Sequence, residues 1–221
     1  MKTHYSLALH LLLGSLLLSL SANAQSLLPN GSFDDPSDPL KGWVTDYEWT
    51  GNSYYIANKD FVHVEPDGAR KNIVKLVSPG DGGVKIESIP IKLEPGFRYT
   101  CTLDVKGGPY RLYFSGYRWA PGVPPNDNPI LADLRPIYKS KAVTGKSPDW
   151  TKVTFELPGV KLSEQALSHL KHVRFITIYL WFLKGSDLVI GTQKEAAKKN
   201  DTANYIDNVT LTKTPDESMN F

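Results

Sequence analysis

The sequence predicts an all-β sandwich of two antiparallel sheets with at most one short helix. Strand-like runs rich in β-branched and aromatic residues recur along the chain, and turns rich in Gly, Pro, Asn and Asp separate them. This spacing is typical of a sandwich, whereas strands alternating with long helices would indicate βαβ units. The 221 residues include 5 Trp and 11 Tyr, a heavy aromatic load for one domain.

Each predicted strand lies between turn signals such as Pro95-Gly96 and Gly107-Gly108-Pro109. The predicted strands are 53–56, 61–64, 72–77, 84–93, 97–106, 110–119, 151–157, 173–183 and 204–213. Residues 162–170 have helical composition and predict the single short helix. Residues 120–149 and 184–203 are too long for hairpin turns, and such loops are usually functional or disordered. Residues 214–221 predict a flexible tail.

The N-terminus has the order of a secretory signal peptide. Lys2 and His4 precede an apolar run from Leu7 to Leu20, and Ala22-Asn23-Ala24 supplies the small residues of a cleavage site. The run is shorter than the roughly 20 apolar residues of a membrane-spanning helix. We therefore expect residues 1–24 to be removed and residues 25–213 to form one domain, secreted to an extracellular or periplasmic location.

Charge and cysteine content exclude several partners and roles. Lys and Arg number 25 against 23 Asp and Glu, and no basic stripe indicates a nucleic acid. The single cysteine, Cys101, cannot form an intramolecular disulfide, and its alternation with polar neighbours predicts a buried side chain. We expect a monomer without a membrane span.

Motifs at both ends of the mature chain carry a family resemblance. The ordered set is Asn30-Gly31-Ser32-Phe33-Asp34, Gly42-Trp43, Phe97-Arg98-Tyr99-Thr100, Asp149-Trp150 and Tyr205-Ile206-Asp207-Asn208-Val209. Together these motifs resemble carbohydrate-binding modules of families 4 and 9, which are galactose-binding-like jelly rolls. The resemblance covers residues 27–212. It implies a jelly-roll β-sandwich in which the first and last strands lie close together, with Trp43 and Trp150 as framework residues.

The resemblance also implies a structural calcium ion held by Asp34 and Asp207, with backbone carbonyls completing the shell. Ca²⁺ takes six to eight hard oxygen ligands, so carboxylates and carbonyls suit it. The family more often has a longer Glu at the position of Asp34. The alternative is that both acids cap turns or pair with nearby lysines.

A sugar site is predicted from side-chain alternation, because successive strand residues point to opposite faces. In 110–119 and 173–183 one face is aliphatic, and the other mixes rings with polar groups. We expect the aliphatic set Leu112, Phe114, Ile176, Ile178, Leu180 and Phe182 to lie in the core. The predicted ligand-binding set on the opposite face is Arg111, Tyr113, Tyr117, Trp119, Tyr179 and Trp181. The alternative is that the proline-rich loop 120–149 covers these rings as a second core layer.

These observations favour a secreted, non-catalytic protein that binds a poly- or oligosaccharide through an aromatic-lined sheet face. One alternative is a structural or adhesion domain that keeps the fold without sugar binding. Another is a glycoside hydrolase or polysaccharide lyase. Glycosidases need two carboxylates across the scissile bond, and Glu48, Glu65, Glu87 and Asp104 occur in no motif that assigns them this role.

Overall fold

The structure is a computed structural model that describes residues 25–44, 61–77, 83–159, 163–183 and 203–220. The predicted signal peptide 1–24, the predicted strand 53–56 and nearly all of the loop 184–203 lie outside the described residues. Within the described ranges, no helix is both long enough and apolar enough to cross a membrane.

The described chain forms an antiparallel sheet of ten strands with one short α-helix. The strands are β1 (Trp43–Val44), β2 (Val62–Asp67), β3 (Lys71–Leu76), β4 (Val84–Ser88), β5 (Ile91–Lys92), β6 (Phe97–Trp119), β7 (Leu134–Lys139), β8 (Val143–Leu157), β9 (Phe175–Phe182) and β10 (Asn204–Pro215). Helix α1 (Glu164–Leu170) begins after Ser163, whose hydroxyl accepts a hydrogen bond from the backbone N–H of Ala166. Single 3-10 turns occur at Gly68–Arg70, Leu131–Asp133 and Glu217–Met219.

The strand order is β1-β4-β9-β6-β10-β3-β2, with β5 on β9 and both β7 and β8 on β6. The sheet curls on itself around a main apolar core, which confirms the predicted all-β jelly-roll sandwich with one short helix. Its two layers are continuous, because the first half of β6 pairs with β10 and the second half pairs with β9.

Strand β6 differs from the prediction of two strands, 97–106 and 110–119. The turn signal Gly107-Gly108-Pro109 bends a single 23-residue strand without ending it. Both glycines have positive φ, at 106° and 109°, which non-glycine residues rarely adopt. The buried Asn204 of β10 holds the bend, since its side-chain oxygen accepts a hydrogen bond of 2.6 Å from the N–H of Gly108.

The two end motifs meet, as the resemblance implies. The N–H of Leu27 donates to the carbonyl of Leu211, and the N–H of Val209 donates to the carbonyl of Gly31. A Cβ on Gly31 would lie 1.7 Å from the carbonyl oxygen of Val209, so only glycine allows this approach. Phe33 and Trp43 pack in the core, with ring centroids 5.5 Å apart.

The proline-rich segment contains regular structure that the sequence did not predict. Strand β7 and the first part of β8 lie within 120–149, and both pair with β6. Leu134 is buried opposite Trp119. The prolines of this segment argue against strands, because proline has no N–H to donate to a neighbouring strand. Pro136 nevertheless lies in β7, at a position where its missing N–H is not needed.

The C-terminal residues pack on the body of the protein and do not form the predicted flexible tail. Strand β10 continues to Pro215, and Met219 in the following turn is fully buried. The carbonyl of Met219 accepts a hydrogen bond from Gly96, and Asp216 forms an ion pair of 2.8 Å with Arg98. Cys101 is buried as predicted, and burial raises the pKa of its thiol.

Candidate functional site

The register of β6 and β9 brings the two predicted aromatic sets together. Directly opposite pairs are Arg111 with Trp181, Tyr113 with Tyr179, Ser115 with Thr177, and Tyr117 with Phe175. The other face of both strands is the core, where the predicted set Leu112, Phe114, Ile176, Ile178, Leu180 and Phe182 has no solvent exposure. The predicted division of the two faces is therefore confirmed.

Tyr113 and Tyr179 form a stacked pair at the centre of this aromatic face. Their ring centroids are 4.7 Å apart, and the planes differ by 16°. The two side chains are only 6% and 4% exposed, so they form a wall under the surface and not an open platform. Stacking of this kind fixes ring orientation and contributes about 0.5–1.5 kcal/mol beyond buried area.

A cavity of about 210 Å³ lies beside this pair. Its lining consists of Glu87, Tyr113, Ser115, Tyr117, Leu131, Leu134, Pro136, Tyr138, Lys139 and Tyr179. Strands β4, β6 and β9 provide the floor, and the segment Leu131–Lys139 provides the opposite wall. Pockets for drug-sized ligands have volumes of roughly 300–1,000 Å³, so this cavity suits one small ring better than an extended chain.

The carboxylate of Glu87 is the polar centre of the cavity floor. Glu87 is 1% exposed, and its Oε1 accepts hydrogen bonds from the hydroxyls of Tyr117 at 2.6 Å and Thr177 at 2.5 Å. Burial and the nearby negative charge of Glu87 raise the pKa of Tyr117, so the phenol remains a donor. Two fixed donors on one oxygen hold the carboxylate in a single orientation.

Cationic side chains lie over the rings at the edge of this face. The ammonium of Lys139 is 4.1 Å from the ring centroid of Tyr113, and Arg111 is 5.2 Å from that of Trp181. Lys85 of β4 lies 4.8 Å from the same Trp181 ring. Burial, and secondly repulsion from Lys139, lower the pKa of Lys85. Burial, and secondly repulsion from Arg111, lower the pKa of Lys139. Cationic groups therefore lie beside the rings of this aromatic face, and one of them, Lys139, lines the cavity.

Tyr117 and Trp119, also predicted to bind ligand, belong largely to a separate apolar cluster. Trp119 packs edge-on against Phe175 with centroids 5.2 Å apart, and Leu131 and Leu134 cover the cluster. This half of the aromatic face, around Tyr117 and Trp119, therefore forms a second core layer and not an open ligand-binding surface. Tyr117 still borders the cavity through the hydroxyl that it donates to Glu87.

Sequence reasoning did not assign Lys85, Glu87 and Lys139 to the site. The alternation of Lys85 and Glu87 with Val84 and Ile86 was a usable signal, because it puts two charges on one face of a strand. It became interpretable only with the pairing of β4, in which Lys85 lies opposite Trp181 and Glu87 opposite Tyr179.

Asp207, one of the two predicted calcium ligands, is engaged by protein donors. Arg70 Nη1 donates to Asp207 Oδ2 at 3.1 Å and to Asp104 Oδ2 at 2.8 Å. The backbone and side-chain amides of Asn208 also donate to Asp207. The Arg70 guanidinium lies 4.1 Å from the Trp150 ring, so Trp150 stacks under this ion pair and is only half buried.

The pKa values of the two carboxylates next to Arg70 shift in opposite directions. Burial raises the pKa of Asp207, and the hydrogen bonds from Asn208 and Arg70 only partly offset it. Burial acts in the same direction on Asp104, but hydrogen bonds from Arg70 and Asn208 outweigh it and lower the pKa. The guanidinium of Arg70 therefore supplies positive charge beside the carboxylates of both Asp104 and Asp207.

Asp34, the other predicted ligand, has one buried oxygen, Oδ1, without a hydrogen-bond partner among the described residues. Its Oδ2 lies 3.8 Å from the ammonium of Lys71. This contact agrees with the alternative in which the acid pairs with a nearby lysine. The part of the chain that the structure describes contains no group of three or more His, Cys, Asp or Glu side chains suited to a metal ion. The oxygens of Asp207 accept hydrogen bonds from Arg70 and Asn208, so calcium coordination by Asp34 and Asp207 stays a prediction.

The sequence matches no protein-family model and no curated protein. Among solved structures, it is similar to the tandem CBM22-1-CBM22-2 domain of Paenibacillus barcinonensis Xyn10C, at 13% identity and a TM-score of 0.47, over 86% of this chain and 50% of that one. It is also similar to TmCBM61 in complex with β-1,4-galactotriose, at 12% identity and a TM-score of 0.43, over 86% of this chain and 100% of that one.

A CBM4 structure, of the family type that the end motifs resemble, is similar at 16% identity and a TM-score of 0.41, over 85% of this chain and 99% of that one. The chain thus spans half of the tandem CBM22 protein and nearly all of the single modules.

Proposed function

We propose that this protein binds a saccharide, without catalysis, in the cavity between the Tyr113–Tyr179 pair and the segment Leu131–Lys139. The observation that carries the proposal is the buried Glu87 carboxylate, oriented by Tyr117 and Thr177 beside stacked aromatic rings. The signal-peptide pattern of residues 1–24 supports export, which is part of the proposal.

Saccharides need two kinds of surface at once. The C–H face of a sugar ring packs on apolar or aromatic surface, and its hydroxyls need donors and acceptors that are fixed nearby. The tyrosine rings supply the first, and Glu87, Ser115 and Lys139 line the same cavity with polar groups. A buried carboxylate is a strong acceptor for a sugar hydroxyl, because charge-assisted hydrogen bonds are roughly twice as strong as neutral ones.

The cavity volume favours recognition of one sugar residue or a chain end. A polysaccharide lying along an open aromatic face, the arrangement predicted from the sequence, would need the rings of Tyr113, Tyr117 and Tyr179 to be exposed, and all three are buried. The half-buried Trp181 and Arg111 form the next same-face pair along β6 and β9 after Tyr113 and Tyr179, and they are suited to contact a second sugar residue.

The hydroxyl contacts of Glu87 favour binding over hydrolysis. Glycosidases place one carboxylic acid and one carboxylate on either side of the scissile bond. Glu87 instead accepts hydrogen bonds from Tyr117 and Thr177 on one oxygen. These bonds hold its carboxylate in place as a hydrogen-bond acceptor. A structural domain without ligand is the second candidate, and the covering of Trp119 and Phe175 by Leu131 and Leu134 favours it.

Binding can be tested with a panel of oligosaccharides, with calorimetry as the assay and chromatography of the sugars afterwards. We expect a saturable complex with unchanged sugars. The variant Glu87→Gln keeps the shape and removes the charge, and it should weaken binding roughly tenfold or more, because hydrogen bonds to charged groups contribute about 1.5–3 kcal/mol. Trp181→Ala should weaken binding of oligosaccharides more than of a monosaccharide.

Trp150→Ala is the matched control, because Trp150 also lies under an arginine but on the Arg70 cluster away from the cavity. It should leave binding unchanged. Cleaved sugars would overturn the non-catalytic proposal. Absence of binding across the panel, with circular dichroism showing folded protein, would favour the structural domain.

A further inference from the structure

A second cavity, of about 480 Å³, lies between α1 and the strands β6 and β7. It is lined by Arg118, Arg135, Pro136, Ile137, Ser168, His169 and His172. Four of these seven residues carry or can carry positive charge, and none is acidic. The cavity shares only Pro136 with the saccharide cavity, and it is not used by the proposed function.

Arg118 and Arg135 are directly opposite each other on adjacent antiparallel strands. Like charges at directly opposite positions destabilise a sheet, because the side chains of such a pair start only about 5 Å apart. Two other arginines of this chain are paired with acids: Arg70 with Asp104 and Asp207, and Arg98 with Glu156 and Asp216. Neither Arg118 nor Arg135 forms an ion pair with any acid in the described ranges.

Two histidine side chains line the same cavity beside the arginines. His169 lies in the last turn of α1 and His172 follows it, and the backbone N–H of His172 donates to the carbonyl of His169. Both side chains belong to the cavity lining. Ser168 adds no further donor, since its hydroxyl already donates to the carbonyl of Gln165.

We propose that this cavity binds an oxyanion, a phosphate or sulfate group, through Arg118 and Arg135 with His169 and His172 at its edge. The planar guanidinium forms two parallel hydrogen bonds to such a group, which is why arginine is favoured at these sites. A tetrahedral oxyanion between the two arginines replaces their repulsion with two attractions. The same group can arrive as a free ion or as an ester on a larger molecule such as a sugar.

The proposal stands independently of saccharide binding in the first cavity. A sulfate ester on a sugar would satisfy it, and so would an inorganic ion. The experiment therefore includes sodium phosphate, sodium sulfate, dextran sulfate and unsulfated dextran, each compared with sodium chloride at equal ionic strength.

The test is thermal unfolding of the full chain together with calorimetric titration. We expect phosphate or sulfate to raise the melting temperature of the wild type more than that of Arg118→Gln or Arg135→Gln. Loss of either arginine should weaken binding of the oxyanion roughly tenfold or more, because one charge-assisted contact is removed. In chloride both variants should be at least as stable as the wild type, since the repulsion is relieved.

Lys146→Gln is the control, an exposed cation on β8 outside the cavity lining. It should keep the wild-type response, which separates site binding from the general stabilising effect of sulfate and phosphate. A response to dextran sulfate but not to the free ions would identify an ester as the source. Equal anion-dependent shifts in the wild type and both arginine variants would overturn the proposal, as would destabilisation in chloride without a changed shift.

Discussion

At the scale of the residue, Arg70 is a cation built into the chain at the place where the family resemblance implies calcium. Its guanidinium joins Asp104 and Asp207, and the Trp150 ring supports it. Asp207 has a side chain that is 1% exposed, so its charge needs a partner within the protein. Arg70 can meet this need at all times, whereas a bound ion depends on its concentration.

We therefore expect neither chelator nor millimolar calcium to change the melting temperature of the wild type, measured by differential scanning fluorimetry. Arg70→Gln removes the charge, leaves two carboxylates together, and should lower the melting temperature. Lys75→Gln is the control, because Lys75 forms an ion pair with Glu65 in which both side chains are partly exposed and such pairs contribute about 0–1 kcal/mol. Chelator-induced destabilisation of the wild type that Asp34→Asn abolishes would instead establish the calcium clamp.

The sequence carried no signal for the ion pairs of Arg70 with Asp104 and Asp207. The motif residues Asp34 and Asp207 are both present, and they alone suggested the ion. Arg70 lies outside every motif, in a turn between β2 and β3, and only the fold brings it to β10. The alternation of β6 and β9 could be predicted because it is local, whereas the partner of a buried charge depends on long-range packing.

At the scale of the element, β6 is the strand that joins both layers, and its bend is held by one side chain. Asn204 is 1% exposed, and its amide oxygen is the acceptor for the N–H of Gly108. A Cβ on Gly107 would lie 2.7 Å from the same oxygen, so the bend is tightly packed against β10. The position of the aromatic half of β6 relative to the other layer depends on this contact.

Asn204→Ala should lower the free energy of unfolding by about 1–3 kcal/mol, because it leaves the buried N–H of Gly108 without an acceptor. Urea unfolding followed by tryptophan fluorescence measures this loss. Asn126→Ala, in an exposed turn where Asn126 accepts from the N–H of Asn128, should change stability by roughly 0.5 kcal/mol or less. Equal effects of the two substitutions would show that Asn204 does not hold the bend.

At the scale of the whole molecule, the jelly roll is closed where its two chain ends meet the body. Leu27 and Gly31 pair with β10 on one side, and the turn Glu217–Met219 covers the core on the other. Most of the longer strands and the short helix were predictable from periodicity, whereas β7 in the proline-rich segment was not. The closing turn was not, because a single methionine in a polar, terminal segment has no periodic pattern.

Met219→Ala tests whether this closure contributes to stability. Met219 has no solvent exposure, and its carbonyl accepts from Gly96 at the start of β6. Truncating a buried methionine to alanine typically costs about 2–5 kcal/mol, from lost burial and the cavity that remains. We expect a loss in this range by urea unfolding, whereas Glu217→Ala, at an exposed position of the same turn, should have almost no effect. A flexible tail, as the sequence alone predicts, would make both variants as stable as the wild type, so the difference between them decides whether the turn is part of the domain.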